Sequence, residues 1–192
     1  IMGRAKGIDI REHGSGNAGT TNTMRVLGKK AGLWVFVGDV LKTVAAVVCV
    51  YFLFREKYPE QIYLLKLYAG FGAILGHNFP FYLKFKGGKG VIVSAITILL
   101  IDPLVFLAVA LIFALMFAAT QIISASSITA AFFYPMVVYA FNIRSANLAY
   151  IFFSLMISFF VIAMHKENIQ RLMRKEEKKF TIHKDGDKKA KK

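Results

Sequence analysis

Three short stretches of the chain combine glycine, basic and amide-bearing residues in patterns that suit phosphate chemistry. The first runs from Gly14 to Asn22, with Arg25 beyond it. Its glycines allow tight turns that point backbone N–H groups at a ligand, and arginine can bind two phosphate oxygens at once. The GxxxxGK[ST] spacing of a P-loop is absent, so an ordinary flexible loop is the alternative. The phosphate-binding candidates of this stretch are Ser15, Asn17, Thr21, Asn22 and Arg25.

The second stretch leads from Gly76-His77 to Phe85-Lys86-Gly87-Gly88-Lys89-Gly90, directly before an apolar run. A helix that begins there presents unpaired N–H groups and a partial positive charge. With Lys89 beside it, this helix end favours an anion. A plain basic loop would account for the lysines but not for the glycines around one of them. We therefore expect Gly87, Gly88 and Lys89 to bind phosphate.

The third stretch begins at His165 and continues to Leu172, with Glu177 beyond it. His165 and Asn168 are three residues apart and share one helical face where the chain leaves an apolar run. A histidine at a membrane interface is often only an anchor. Here it accompanies an amide and two anion-binding loops, and histidine is the motif-borne base whose ordinary pKa suits neutral pH. These features favour a role in proton transfer.

Two smaller features have structural alternatives. Asp39 and Lys42 are three residues apart within an apolar span, and we expect them to pair along one helical face. Ser124, Ser126 and Ser127 fall in what the pattern predicts to be a loop, where they could contact phosphate or cap the next helix. Of these, Ser127 is the candidate phosphate ligand.

The composition shows what must position these residues. Hydrophobic residues make up 56% of the 192, 18 of them are Phe, and the mean hydropathy is +0.52. A soluble domain of this size cannot bury so much apolar surface, whereas a bilayer can cover it. The net charge of +14 could indicate nucleic acid. The basic residues lie between apolar runs, however, so we expect no nucleic-acid partner.

Six apolar segments predict a polytopic α-helical membrane bundle. The third of these apolar segments, the run 90–101, is too short to cross a hydrocarbon core of roughly 30 Å untilted, at about 1.5 Å per residue. Twenty of the 25 Lys and Arg fall in residues 1–31, 76–89 and 165–192, which predicts that these share the cytoplasmic side. The predicted segments are 32–54, 58–75, 90–101, 103–123, 127–141 and 148–164.

The three stretches together resemble the bacterial acyl-phosphate-dependent glycerol-3-phosphate acyltransferases, the PlsY family. Its signatures read approximately GSGNxGATNxxR, GHxFPxxxxFKGGKGVAT and HRxNIxRLxxGxExK. The chain departs from them at Thr20, Ile92, Val93, Lys166 and Lys175. The family has seven spans, so we expect a first helix upstream of residue 1. Residues 1–180 would then form the membrane-embedded domain, and 181–192 a disordered basic tail.

The resemblance implies transfer of an acyl group from acyl phosphate to the 1-hydroxyl of glycerol 3-phosphate, giving lysophosphatidic acid and phosphate. It implies His165, Asn168 and Ser15 as catalytic residues, a structural role for Glu177, and neither a metal nor a cofactor. The HxxxxD pattern of other acyltransferases is absent, since Ala18, Tyr82, Gln170 and Lys188 stand five residues after the four histidines. A transporter of an organic phosphate is the alternative, although it predicts polar residues along several spans.

Overall fold

A computed structural model describes residue 3 and residues 7–142 and 147–180 of the chain. The described residues form eight α-helices and two short 3₁₀ helices, with no strand, which confirms the all-α fold class. The predicted tail at 181–192, and with it Arg4, Lys6 and Arg144 of the charge count, lies outside the described residues. The helices are α1 (Thr20–Leu27), α2 (Lys29–Phe54), α3 (Ile62–Asn78), α4 (Val91–Ile101), α5 (Pro103–Thr120), α6 (Ile123–Asn142), α7 (Leu148–Met164) and α8 (Lys166–Met173).

The core of the bundle lies among α3, α4, α5, α6 and α7. It is made by apolar residues and two tyrosines, with α4 between α2, α3 and α5, and α7 packed on both α3 and α6. Representative core residues are Ile74 and Val93, which are 0% exposed, and Ile157, which is 2% exposed. Aromatic rings such as Phe71 and Phe153 meet edge to face across the α3–α7 contact. The bundle is thus a set of helices packed against one another rather than isolated spans.

The outer faces of the long helices are apolar as well. Leu41 and Leu53 of α2 and Leu107 and Leu115 of α5 are each about 60% exposed or more. Soluble monomers rarely expose continuous apolar surfaces of this size to water. We therefore infer that these outer faces contact lipid. Among the described residues, three helices are long and apolar enough to span a bilayer: α2, α5 and α6. The number rises to four if α7 and α8, which are bent by 60° relative to each other, are counted together as one span. The protein is a helical membrane protein, and the count of six spans stays a prediction.

The short fourth helix ends where the sequence predicts. It has 11 residues from Val91 to Ile101, and Asp102 stops it. The Asp102 carboxylate accepts hydrogen bonds from the N–H groups of Leu104 and Val105, which caps α5, and Pro103 occupies its first turn. At about 1.5 Å per residue, α4 is roughly 16 Å long. It is therefore about half as long as a hydrocarbon core of roughly 30 Å is thick, and it begins directly after the second glycine-rich stretch.

The prediction of a serine-bearing loop after α5 is wrong. Gln121 ends α5 with a left-handed φ of 60°, and α6 begins two residues later at Ile123. Ser124, Ser126 and Ser127 therefore lie in the first turns of a helix. The hydroxyls of Ser126 and Ser127 donate to carbonyls four residues earlier, at 2.9 Å, which satisfies them locally.

Candidate active site

Residues from all three motifs line a single cavity of about 230 Å³. Its walls come from the loop before α1, the start of α4, the start of α6 and the region around α8. The polar lining residues are Ser15, Asn17, Thr20, Thr21, Asn22, Arg25, Asp39, His77, Lys89, Ser124, Ser127, His165, Asn168, Glu177 and Lys178. Stretches more than 140 residues apart in the chain thus meet at one end of the bundle.

The first loop is organised by the side chain of Asn22. Its amide group donates to the carbonyls of Ile10, His13 and Asn17 at 2.9–3.0 Å, and its carbonyl accepts the N–H of Ser15 at 2.8 Å. The residue is 2% exposed. Because these bonds occupy the carboxamide, Asn22 shapes the loop, a different role from the predicted direct contact with phosphate.

The glycines of this loop allow it to fold closely around the Asn22 side chain. Gly14 and Gly16 have φ angles of +69° and +72°, in the left-handed region that favours glycine. A Cβ at Gly14 would lie 2.2 Å from the Asn22 side-chain oxygen. The loop therefore closes tightly around Asn22 and leaves Ser15 and Thr21 to line the cavity, with the exposed side chain of Arg25 one helical turn further on.

The second motif places a helix start against the cavity. Gly90 precedes α4 with a φ of 75°, and Lys89, Gly90, Val91 and Ile92 all line the cavity. First-turn N–H groups of a helix have no intrahelical acceptor, so this end suits an anion. Gly87 and Gly88 do not line the cavity. Their N–H groups donate to the carbonyls of Asn78 and His77 at 3.1 Å, so in this conformation they pack the loop against α3 instead of offering amides to phosphate.

His165 is buried at the junction of α7 and α8, with 3% of its surface exposed. Its Nδ1 lies 2.7 Å from the carbonyl oxygen of Val161. A carbonyl oxygen only accepts, so Nδ1 carries the proton and the Nε2 lone pair is left for another partner. Burial lowers the pKa of His165 to about 4, and the nearby charge of Lys89 acts in the same direction. The imidazole is therefore neutral at pH 7, as a proton acceptor must be.

A chain of hydrogen bonds joins the second motif to the third. The Lys89 ammonium donates to the side-chain oxygen of Asn168, and the Asn168 amide donates to Glu177 at 2.7 Å. Glu177 also accepts from Arg171 at 2.6 Å and from Ser124 at 2.8 Å. An acceptor on one side and a donor on the other fix the orientation of the Asn168 side chain. Glu177 is thus the acceptor shared by three side chains, and its structural role stays a prediction.

The same network sets the protonation of its charged members. Burial lowers the pKa of Lys89 to about 8, and the positive charge of Arg171 adds to the effect. For Glu177, burial alone would raise the pKa, but hydrogen bonds from Arg171, Ser124 and Asn168 outweigh it and hold the pKa below the ordinary value. The cavity thus carries an ionised carboxylate and a desolvated ammonium whose charge a bound phosphate would complement.

The segment after α8 folds back over the cavity. Lys175 has a φ of 58°, and its backbone N–H donates to the Leu172 carbonyl. The backbone N–H of Glu176 donates to the Arg171 carbonyl at 2.8 Å. These bonds form a Schellman motif, which normally places glycine at the position of Lys175. The turn brings Glu177 back to Asn168. The N–H of Phe180 then donates to the carbonyl of Gln121 at 2.7 Å and fastens the segment to the end of α5.

One side of the cavity is apolar. Val91, Ile92, Ile123 and the ring of Phe113 line it beside Phe180. Phe113 lies seven residues before the end of α5, so the apolar wall reaches roughly 10 Å toward the middle of that helix. A molecule with a charged head and an apolar chain fits such a cavity.

Sequence reasoning missed one polar group of the cavity. His77 lies in the second motif, yet no role was expected for it, while Asp39 was expected only to pair with Lys42. That pair is present, at 2.6 Å, and His77 Nδ1 lies 3.2 Å from the same Asp39 oxygen. Lys42 does not line the cavity, whereas Asp39 and His77 do. Two features of the sequence could have indicated this contact: a carboxylate within an apolar span, and a histidine within a glycine-rich motif.

These features define a class: a helical membrane protein with a cationic, glycine-framed cavity beside an apolar wall at one end of the bundle. Comparison with known proteins narrows it further. Residues 1–175 match the family model described as Glycerol-3-phosphate acyltransferase. The chain belongs to this family.

Individual relatives agree with the assignment. A glycerol-3-phosphate acyltransferase of Bacillus subtilis (strain 168) is 39% identical over 180 residues, which covers 93% of this chain and 88% of the relative. One from Geobacillus kaustophilus (strain HTA426) is 41% identical over 174 residues, covering 90% and 83%. The crystal structure of PlsY, an integral membrane glycerol 3-phosphate acyltransferase, in its glycerol 3-phosphate form superposes with a TM-score of 0.77 at 31% identity, covering 94% of this chain and 86% of that one. A lysophosphatidic acid form of PlsY gives the same TM-score.

Proposed function

We propose that this protein transfers an acyl group from acyl phosphate to the 1-hydroxyl of glycerol 3-phosphate, giving lysophosphatidic acid and phosphate. The observation that carries the proposal is the convergence of all three motifs on one cavity that is cationic on one side and apolar on the other. Both substrates carry phosphate, and the donor also carries a long apolar chain. The apolar wall at Phe113 and Ile123 accounts for the chain, and the Arg25 and Lys89 sides of the cavity account for the phosphates.

In the proposed reaction the 1-hydroxyl oxygen attacks the carbonyl carbon of acyl phosphate. The new ester C–O bond forms, the bond from carbonyl carbon to phosphate oxygen breaks, and phosphate leaves with that electron pair. Acyl phosphate is a mixed anhydride with a good leaving group, so no covalent acyl-enzyme is needed. The protein then has to hold the two substrates in contact and to stabilise developing charge.

The residues divide the work according to their positions. Lys89, Arg25 and the first turn of α4 hold phosphate oxygens, and Ser15, Asn17, Thr21 and Ser127 add neutral contacts from the cavity wall. Asn168, oriented by Lys89 and Glu177, positions the reacting groups. The hydroxyl proton goes either to Nε2 of His165 or to a phosphate oxygen of a substrate. The first route makes His165 a general base, and the second makes it a contact to substrate.

We further propose that the protein lies in the bacterial plasma membrane with this cavity on the cytoplasmic side. The support is the concentration of 20 of the 25 Lys and Arg in the segments that include the motifs. Basic residues near the cavity, such as Lys166 and Lys179, would face anionic lipid headgroups.

The test is to incubate purified protein with acyl phosphate and glycerol 3-phosphate and to quantify lysophosphatidic acid and phosphate. We expect the two products in equal amounts, and only trace amounts with a Lys89→Ala/His165→Ala variant. Uptake of glycerol 3-phosphate into proteoliposomes without any lysophosphatidic acid would instead indicate the transporter alternative.

A further inference from the structure

Asp39, Lys42 and His77 form a compact polar cluster between α2 and α3. Lys42 Nζ lies 2.6 Å from the Asp39 carboxylate and 2.6 Å from His77 Nδ1, and Asp39 lies 3.2 Å from the same nitrogen. Asp39 is 7% exposed and belongs to an otherwise apolar helix. Apolar side chains would hold α2 against α3 at lower cost, because a charge inside a membrane span must be compensated. The contact between the helices therefore does not by itself explain the cluster.

The position of His77 suggests what the cluster does. The backbone carbonyl of His77 accepts the N–H of Gly88 at 3.1 Å. A Cβ added to Gly88 would lie 2.0 Å from His77 Nε2, so the imidazole ring is packed directly against the residue before Lys89. A Cβ at Gly87 would lie 2.1 Å from the same carbonyl oxygen. A rotation or shift of the ring toward the loop would therefore displace Gly88, and with it Lys89, whereas a shift away would remove the support of the loop.

Resting on the proposed function, we propose that Asp39 and His77 are positioning residues that set the place of Lys89 in the phosphate site. Asp39 and Lys42 form an ion pair, and the pair as a unit fixes the orientation of the imidazole through its contacts with Nδ1. The imidazole in turn supports the glycine loop, so that the Lys89 ammonium stands at Asn168. This link also explains why glycine, and no larger residue, occupies positions 87 and 88.

The test is steady-state kinetics of Asp39→Asn, with each substrate varied in turn. We expect KM to rise about tenfold for whichever substrate Lys89→Ala also affects, with a smaller change in kcat, since small displacements of a binding group weaken binding steeply. The double variant Asp39→Asn/Lys89→Ala should show no larger KM than Lys89→Ala alone, because both changes act through one contact.

A matched control is Ser158→Ala. Ser158 donates to the Ala131 carbonyl at 2.6 Å, also inside the bundle, and it does not line the cavity. It should leave both KM values unchanged, which separates loss of a buried hydrogen bond from loss of positioning. If Asp39→Asn does not fold, Asp39→Asn/Lys42→Met removes both charges together and should raise KM in the same way.

The binding arm of the test does not depend on turnover. Inorganic phosphate should raise the melting temperature of the wild type, and the rise should be smaller for Asp39→Asn and for Lys89→Ala. An equal rise in wild type and Asp39→Asn, an unchanged KM in a folded Asp39 variant, or full additivity with Lys89→Ala would each overturn the inference. Absence of acyl transfer by the wild type would contradict the proposed function instead, while the phosphate measurement still decides the role of Asp39.

Discussion

The lowered pKa of Lys89 predicts an alkaline loss of activity in a specific pH range. Burial lowers this pKa from 10.5 to about 8, so the ammonium is charged below pH 8 and becomes neutral as the pH rises through that value. At pH 9, roughly nine in ten Lys89 side chains of the free protein would be neutral, against about 3% for an ordinary lysine. The neutral amine cannot make a charge-assisted bond to phosphate.

The size of the effect follows from the bond that is lost. A hydrogen bond to a charged group contributes about 1.5–3 kcal/mol, which corresponds to roughly 10- to 150-fold in KM. We therefore expect kcat/KM to be nearly flat up to about pH 7, to be about half as large at pH 8, and then to fall by up to about tenfold for each pH unit until that limit is reached. The assay is the initial rate of lysophosphatidic acid formation, with the remaining acyl phosphate measured in parallel to correct for its hydrolysis.

Lys89→Arg is the variant that makes this prediction specific. Arginine stays charged throughout the range, so the alkaline loss should move beyond pH 10, whatever the variant's absolute rate. The ratio kcat/KM reports the free protein, so bound phosphate does not obscure the pKa. A flat profile up to pH 9.5 in the wild type, or an alkaline loss that Lys89→Arg retains, would refute the reasoning.

The other predictions concern catalysis, the tail segment and topology. His165→Ala should lower kcat about a hundredfold or more with KM nearly unchanged if His165 is the general base, whereas a rise mainly in KM would make it a substrate contact. Lys175→Gly should raise the melting temperature by about 2–4 °C, because glycine removes roughly 1 kcal/mol of backbone strain at this left-handed position. Lys179→Gly is the control, and an equal effect of the two substitutions would contradict the strain at Lys175. Single cysteines at the exposed positions 12 and 86, near the two glycine-rich loops, in a Cys49-free variant should react with an impermeant thiol reagent only after cells are permeabilised, and labelling of intact cells would reverse the topology.

Much of the fold was predictable because it depends on local patterns. The apolar runs predict the helices, and α4 and α7 begin or end within a residue of expectation. The third helix was placed less well: it runs from Ile62 to Asn78 instead of 58–75. Its start follows a turn at 59–61, and its end is fixed by packing against Gly87 and Gly88, which no local pattern in α3 reveals.

The membership of the site was predictable, but the role of each side chain was less so. Motif spacing identified Lys89, His165 and Asn168, and the structure brings them together. Motif spacing did not indicate that the Asn22 amide donates its hydrogen bonds to loop carbonyls, because two of the acceptors, Ile10 and His13, lie outside the motif. It also missed the contact of His77 with Asp39, since these residues are 38 positions apart and meet only when α2 packs on α3. Such long-range hydrogen bonds depend on tertiary packing, which a sequence pattern does not contain.

The most direct test of the central claim compares donors on one preparation of the protein. Acyl phosphate and acyl-CoA with the same acyl chain are each supplied with glycerol 3-phosphate, and lysophosphatidic acid is measured as an initial rate. The cavity offers cationic groups for a phosphate head beside an apolar wall, and we found no sequence pattern for an adenine or pantetheine site. We expect rapid product formation with acyl phosphate and none above background with acyl-CoA. Comparable rates with the two donors would contradict the account.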